Sequence, residues 1–300
     1  MGPLRAGELP AVATALADGL SFSPAVMTNV LAGRIAAGTA PLLLVARRPS
    51  GPCPEEIVGA ALLDAIRPVA GGRLFTRVGV PEVHRGLGVG RLLTACLRDA
   101  LPAARPPLSV EIDSADKRSV EIGMRWGLTP YQRSLRLQYD LPAPGRAGSR
   151  SVTHNPSLAI TALSAASTEA DWRAAFELYA TVSLDLPDRA GAPAPDYTVF
   201  RSQLTVAEGI SLARLDGRLV GISAASPSED GLWYVFLTGT LRAVRRTGVA
   251  RALKAAVHAT AIEHGARAVG TSTLESNTAM LTLNRSLGYR VVGGISRFEM

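Results

Sequence analysis

Apolar residues in this chain form short strand-length runs alternating with longer stretches of helical period, and the order of these segments is nearly the same in each half. In the first half the pattern predicts helices over about 8–19 and 24–37, then strands at 41–47, 56–65 and 72–81. A glycine-rich turn follows, with a helix to about Leu101, a strand from Leu108 to Asp113, a helix from about Lys117 to Trp126, and an alternating run from Arg133 to Tyr139. The second half opens on a strand from Leu158 to Leu163. Helical stretches at about 168–183 and 197–207 lead to strands at 210–215, 218–225 and 232–241. A second turn, a helix to about His264, a strand at 267–273, a helix at 277–286 and a closing strand near 295–300 complete it. Only a few residues precede the first helix, so the first half is expected to lack a full opening strand.

Between the halves, the segment from Leu141 to about Ser157 is rich in Pro, Gly and Ser and has no apolar period, which marks a linker. The sequence therefore predicts two tandem α+β domains, residues 1–142 and 158–300, joined by residues 143–157. A length of 300 residues agrees with two domains of about 150 each.

The chemistry concentrates in the two turns. Val78-Gly79-Val80-Pro81-Glu82-Val83-His84-Arg85-Gly86-Leu87-Gly88-Val89-Gly90-Arg91 reads as a strand stopping at a proline, a glycine turn and a helix start. Thr238-Gly239-Thr240-Leu241-Arg242-Ala243-Val244-Arg245-Arg246-Thr247-Gly248-Val249-Ala250-Arg251 repeats the layout 160 positions later. Such a turn aims free backbone N–H groups and a helix N-terminus at one point, as a pyrophosphate requires. Gly86, Gly88 and Gly90 permit close approach, and Arg85 and Arg91 add charge. Gly248 and Ala250 keep the small positions of the second copy, and Arg245, Arg246 and Arg251 keep the charge. The spacing G-x-G-x-G differs from the dinucleotide fingerprint, since Arg91 stands where the third glycine belongs, and no Gly-Lys-Ser/Thr of a P-loop is present. Turns with no ligand are the plain alternative, which two copies in matching frames set aside. Gly79 and Gly239, inside the preceding strands, predict a bulge or a close backbone approach.

Both turns fit Arg-x-x-Gly-x-Gly/Ala, and this pattern resembles the acyl-CoA-binding motif of the Gcn5-related N-acetyltransferases, present twice. The resemblance covers the whole chain except the linker, in the tandem architecture familiar from mycothiol synthase. It implies two domains, each with a central, mostly antiparallel sheet flanked by helices. It also implies two splayed strands whose exposed backbone, at Val78 to Val80 and Thr238 to Thr240, faces the pantetheine arm. The turn residues through Leu87, Val89, Thr247 and Val249 would hold the pyrophosphate of acetyl-CoA or another acyl-CoA.

A second family motif, Asn-x-x-Ala-x-x-Leu-Tyr-x-x-x-Gly-Phe, is similar to the segment Asn277 to Tyr289. The resemblance gives Asn277 to the cofactor arm and puts Asn284 where the family usually has the tyrosine that protonates the departing thiolate. Asn284 and Tyr289 are the polar candidates near the sulfur, Tyr289 equally a core residue. In the first half Asp116 replaces the Asn and Gly123 the Tyr, so that half is expected to hold CoA and to turn it over less well. Glu275, ahead of Asn277, and Asp185, in a loop after a helix, are candidates for general base or acceptor ligand. Asp185 reads equally as a turn or cap residue. Loops such as 190–196 are expected to select the acceptor.

The remaining composition adds exclusions. The net charge of +7 comes almost wholly from scattered arginines, with Lys117 and Lys254 the only lysines, and no aromatic-interleaved basic run points to nucleic acid. No apolar run approaches a membrane span, and with no basic segment followed by an apolar block at the N-terminus no signal peptide is expected. Cys53 and Cys96 lack metal-ligand spacing, and Cys96 is expected as a buried free thiol, which suits a reduced cytoplasmic setting. His84, His154, His258 and His264 are scattered without ligand spacing, the last two read as helix-surface residues, and no metal is expected. The expected activity is acyl transfer from acyl-CoA to a primary amine of a small molecule, with the second domain catalytic. An acyl carrier protein as donor, or a non-catalytic acyl-CoA sensor, are the rivals.

Overall fold

The computed structural model describes residues 2–17, 24–36, 38–50, 53–64, 73–101, 107–142, 156–187, 196–228 and 231–300. Most of the expected linker, His154 and the loop 190–195 lie outside them. In chain order the elements are α1 (Leu9–Ala17), α2 (Pro24–Ala36), β1 (Leu42–Ser50), β2 (Cys53–Asp64), β3 (Leu74–Gly79), α3 (Val89–Asp99), β4 (Leu108–Asp113), α4 (Lys117–Arg125) and β5 (Thr129–Asp140). Then come β6 (Leu158–Ala162), α5 (Glu169–Ser183), α6 (Tyr197–Ser202), β7 (Ile210–Leu215), β8 (Arg218–Pro227), β9 (Leu232–Thr240), α7 (Val249–Glu263), β10 (Ala268–Leu274), α8 (Thr278–Ser286) and β11 (Arg290–Glu299). The fold is mixed α/β, with mostly antiparallel sheets flanked by helices. Among the described residues no helix is long and apolar enough to cross a membrane.

Two compact units result. The first takes in Met1–Arg133 and Ile295–Met300, the second Ser134–Ala190 and Ala194–Gly294. In the first unit the strands run β1-β2-β3-β4, and residues 295–299 of β11 pair antiparallel with β4, Ile295 against Asp113. In the second they run β6-β7-β8-β9-β10, and residues 134–140 of β5 pair antiparallel with β10, Ser134 against Leu274. Each sheet is thus completed by a strand segment from the other half of the sequence. Each contains one parallel pair, β3 with β4 and β9 with β10, because a helical crossover joins them.

Both faces of each sheet are covered, which explains the near-continuous apolar strands. On β2, Ala60 and Leu62 pack with α1 and α2, while Val58, Ala61 and Leu63 face the α3 side with Leu93 and Leu97. In the second unit α5 and α6 cover one face, through Trp172, Leu178, Val182 and Phe200. Helices α7 and α8 cover the other, through Leu253, Val257 and Leu281. A glycine under the first turn of each crossover helix lets it sit close. A Cβ on Gly59 would come within 2.9 Å of Val89, and one on Gly221 within 3.2 Å of Val249. In the first unit a buried ion pair ties α2 to β2, with Arg34 Nη2 at 2.9 Å from Asp64 Oδ1.

Candidate functional site

The two turns have the same backbone course. After β3, Pro81 leads a short 3-10 turn over Glu82–His84, Arg85 is extended, and Gly86 (φ 85°) and Gly88 (φ 80°) are left-handed. After β9, Leu241 leads a 3-10 turn over Arg242–Val244, Arg245 is extended, and Arg246 (φ 64°) and Gly248 (φ 92°) are left-handed. Gly88 and Gly248 are the N-caps of α3 and α7, and neither helix has a side-chain cap. The opening N–H groups of Val89 to Arg91 and Val249 to Arg251 therefore lack an intrahelical acceptor, and the helix dipole adds to their attraction for an anion. The residues present fit a phosphate-bearing ligand in both copies.

Differences lie in the side chains around the turns. Arg85 donates to the Val80 carbonyl at 3.0 Å. His84 is buried and its Nε2 is 3.1 Å from Glu56, whereas Val244 fills the corresponding place in the second copy. Asp185, just past α5, bridges Arg242 and Arg245. The Arg242 hydrogen bonds, with those of Arg245, pull its carboxyl down to about 2. Thr247 donates to the Val244 carbonyl at 2.7 Å, and Arg251 donates to Ser286.

Beside each turn two parallel strands part. β3 and β4 pair only from Leu74–Leu108 to Thr76–Val110, although they continue to Gly79 and Asp113. β9 and β10 pair from Leu232–Ala268 to Val235–Thr271 and continue to Thr240 and Leu274. The segments beyond are free of each other, so a wedge of backbone opens below each turn. In the first unit Arg77 reaches over the wedge to the Glu111 carbonyl at 3.3 Å, and Glu111 in turn accepts from Arg297 at 3.1 Å. Thr238, on the second wedge, is buried with its hydroxyl 2.9 Å from that of Ser223.

The strand glycines mark a close approach, and the bulge lies elsewhere. A Cβ on Gly79 would stand 1.9 Å from the Ala15 carbonyl oxygen, and one on Gly239 would stand 2.6 Å from Val182. Both therefore seat a helix of the other sheet face. The bulge is at Phe236. Ala225 faces Val235 and Ala224 faces Leu237, so Phe236 is an extra residue opposite β8. It falls where the pairing with β10 ends. The corresponding β2–β3 ladder is regular from Asp64–Phe75 to Ala60–Gly79.

The second-motif residues are more enclosed than their sequence reading implied. Asn277 caps α8 by accepting from Met280 N at 3.2 Å, and Asp116 caps α4 by accepting from Ser119 N at 3.0 Å. Asn284 is fully buried and donates to Thr273 at 3.2 Å, while its Oδ1 has no partner among the described residues. Tyr289 is buried with its hydroxyl 2.7 Å from His258 Nε2, and burial pushes its pKa up. His258 is not on the helix surface. It stacks on Tyr139 with centroids 4.6 Å apart, and burial, reinforced by Lys254, lowers it to about 3. Lys254 is wholly buried, with Nζ 5.0 Å from the Tyr289 ring centroid, and burial lowers it to about 7. Sequence reasoning passed over this lysine, although a charge on the apolar stripe of a helix was its signal. Glu275 is exposed just after β10, and Cys96 is half-buried. Among the described residues no three His, Cys, Asp or Glu side chains gather as metal ligands.

A cavity of about 670 Å³ opens at the first turn. It is lined by turn residues Arg85, Gly86, Gly88 and Arg91, by both wedge strands, and by α3 and α4.

Residues 172–289 match the Acetyltransferase (GNAT) family. No curated protein sequence matches the chain. Among solved structures it is similar to a GCN5-related N-acetyltransferase from Sphaerobacter thermophilus, at 19% identity and a TM-score of 0.67, over 99% of this chain and 94% of that one. It is equally similar to a tandem GNAT protein from the clavulanic acid biosynthesis pathway, at 18% identity and a TM-score of 0.67, over 99% and 97%. A Pyrococcus horikoshii acetyltransferase fold matches at 12% identity and a TM-score of 0.58, over 98% and 84%.

Proposed function

We propose that the protein, whose residues 172–289 match the GNAT acetyltransferase family and whose fold is similar to that of a tandem GNAT protein, moves a small acyl group, acetyl the simplest, from acyl-CoA to a primary amine of a small molecule. The observation that carries this reading is the second unit's combination of an uncapped helix N-terminus, parting strands and a bulge at Phe236. The diphosphate sits on the N–H groups of Val249 to Arg251, with Arg245 and Arg246 beside it. The pantetheine amides pair with the free backbone of Thr238 to Thr240.

This places the thioester carbonyl beside the bulge, where a strand N–H freed from the ladder receives the oxyanion. The amine nitrogen attacks the carbonyl carbon directly. The C–N bond forms first and gives a tetrahedral oxyanion; its collapse breaks the C–S bond, the thiolate leaves on CoA, and the amine's proton passes to water or a carboxylate. Glu275, exposed just after β10, is the candidate for that acceptor role, and Asp185 is held by two guanidinium groups. Asn284 and Tyr289, enclosed as they are, brace β10 and α8, and the thiolate takes its proton from solvent. The first unit holds CoA without equal turnover, because its β2–β3 ladder is regular and offers no bulge beside the thioester.

Calorimetric titration of acetyl-CoA into wild type, Gly88→Glu and Gly248→Glu tests this. Each new carboxylate repels the diphosphate at one turn. Turnover should vanish with Gly248→Glu and survive Gly88→Glu. The absence of any acetyl-CoA heat in folded protein would overturn the reading.

A further inference from the structure

Each unit carries an arginine at the same place in its sheet. Arg297 stands opposite Glu111 in the register of β11 on β4, and Arg136 stands opposite Ser272 in the register of β5 on β10. Glu111 and Ser272 each lie two residues before the end of their strand. The surroundings of the two guanidinium groups differ. Arg297 donates through Nε to Glu111 Oε1 at 3.1 Å and through Nη1 to Gln132, so a carboxylate and an amide seat it. In the second unit the residue opposite Arg136 is a serine, and its guanidinium lies over a glycine. A Cβ on Gly293 would stand 2.8 Å from Arg136 Nη2. Gln132 and Gly293 are both the fourth residue of their strands, so Ser272 and Gly293 stand where the first unit has Glu111 and Gln132.

Arg136 also lies on the face from which an acceptor reaches the thioester of the second unit. Leu135, Leu137, Trp233, Val235 and Val269 pack on the α7 and α8 side, so the alternate residues Arg136, Tyr234, Gly270 and Ser272 face the other way. Phe236 joins them, its ring 5.5 Å from that of Tyr234. With the diphosphate at the start of α7, the CoA arm enters the wedge from the helix side and leaves the opposite side to the amine. The last β9–β10 pair is Val235 with Thr271, so Phe236 and Ser272 are the first residues beyond it, one on each bank of the wedge. Neighbouring strands are about 4.8 Å apart, which puts β5 roughly 10 Å from the bulge. A guanidinium at this remove from the reacting carbonyl fits a ligand whose amine and carboxylate are several carbons apart. An α-amino acid, with both groups on one carbon, does not span the two points.

Resting on the reading of the second unit as the site of amine acylation, we propose that its acceptor is an amino carboxylate with an extended alkyl spacer. Arg136 binds the carboxylate, and the primary amine meets the thioester beside Phe236. A guanidinium has five N–H donors in a planar fork, so donors remain for a carboxylate beside those used within the chain.

The test titrates 6-aminohexanoate, hexylamine and glycine into the full chain with CoA bound, by calorimetry, and follows acetyl transfer from acetyl-CoA in parallel as thiol release. The variants are Arg136→Met and Ser272→Glu. Ser272→Glu copies the first unit and engages the guanidinium from within, should Arg136→Met fail to fold. Wild type should bind 6-aminohexanoate roughly ten- to a hundredfold more tightly than hexylamine, the range for a hydrogen bond to a charged group, and kcat/KM should follow the same order. Either folded variant should abolish that difference while acetyl-CoA still binds. Equal affinities for 6-aminohexanoate and hexylamine, or no binding of either, would overturn the proposal and leave acyl transfer to other amines standing. Glycine binding as tightly as 6-aminohexanoate would overturn it through the spacer, and a preference that persists in both variants would overturn it through Arg136. Preferential binding that Arg136→Met removes, with no acetyl transfer although acetyl-CoA binds, would keep the carboxylate site and overturn the acyl-transfer reading.

Discussion

Lys254 Nζ stands 5.0 Å from the centroid of the Tyr289 ring, on a helix face that it shares with apolar residues and with His258. Desolvation of the ammonium lowers this lysine from 10.5 to about 7. The folded chain therefore binds fewer protons here than the unfolded chain between pH 7 and 10.5. Stability should rise with pH across that window and be lowest, as far as this group decides it, below pH 7. Lys254→Met keeps the packing and removes the charge, so urea midpoints of the variant should lose this slope. The gain over wild type should be greatest at the acid end. An unchanged slope would show that the amine is solvated in the folded state.

Arg246 is held at a left-handed φ of 64° where the first copy has Gly86. A side chain in that region costs about 1 kcal/mol or more, and strain of this kind persists where function wants the residue. Arg246→Gly should leave stability unchanged or raise it by up to about 1 kcal/mol, because the added chain freedom of glycine offsets part of the relief. Affinity for acetyl-CoA should fall at the same time. Thermal melts beside calorimetry separate the two effects, and a stabilised variant with unchanged affinity would count against a phosphate role for the guanidinium.

Asp185 contributes through its ion pairs with Arg242 and Arg245. Its carboxyl is held at about 2 against an ordinary 3.8, so its contribution is complete above about pH 4 and is lost as pH falls toward 2. A carboxylate pinned this way is a weak base at neutral pH. Asp185→Asn should lower kcat by less than about tenfold, short of the roughly 10²–10⁴ a general base supplies. The acid limb of the stability profile should shift upward in the same variant.

The two turns were legible because glycine and arginine at fixed spacing carry the geometry in their residue types. Most elements followed from apolar period for a similar reason. The strand exchange was not legible, since nothing local tells Leu135 and Leu137 to pair with β10, or Phe298 with β4. Gly79 and Gly239 signalled a close approach, and only the structure reveals that the approaching groups are Ala15 and Val182. The bulge was hidden because Trp233, Tyr234, Val235, Phe236 and Leu237 are all apolar, so no change of phase appears in the pattern. His258 reads as a helix-surface residue, and Lys254 draws no reading, until Tyr139 and Tyr289 are placed beside them.

Arg34 and Asp64 form a buried pair, both under a tenth exposed, and Arg34 also donates to the Thr39 carbonyl. Arg34→Met would remove the guanidinium paired with the buried Asp64 carboxylate. Unfolding free energy should fall by about 3–5 kcal/mol, while the double variant with Asp64→Leu should recover much of that loss. Urea titration of the single and double variants reads this directly.

Phe236 offers the sharpest separation of binding from turnover. Trp233 and Val235 pack on the α7 and α8 face, yet Leu237, two residues on, packs on the α5 face. Only an inserted residue allows that. Deleting Phe236 would make Val235 and Leu237 consecutive in a regular strand, each still on its own face, with Ala225 and Ala224 still opposite them. The second unit would then have the regular ladder of β2 and β3, and the turn at Gly248 would be untouched. Acetyl-CoA should still bind, and kcat should fall by about 10²–10³, the usual cost of losing one oxyanion donor. A deletion variant that folds and keeps its turnover would mean that the bulge serves strand shape alone, and the oxyanion would have to find its donor elsewhere on β9.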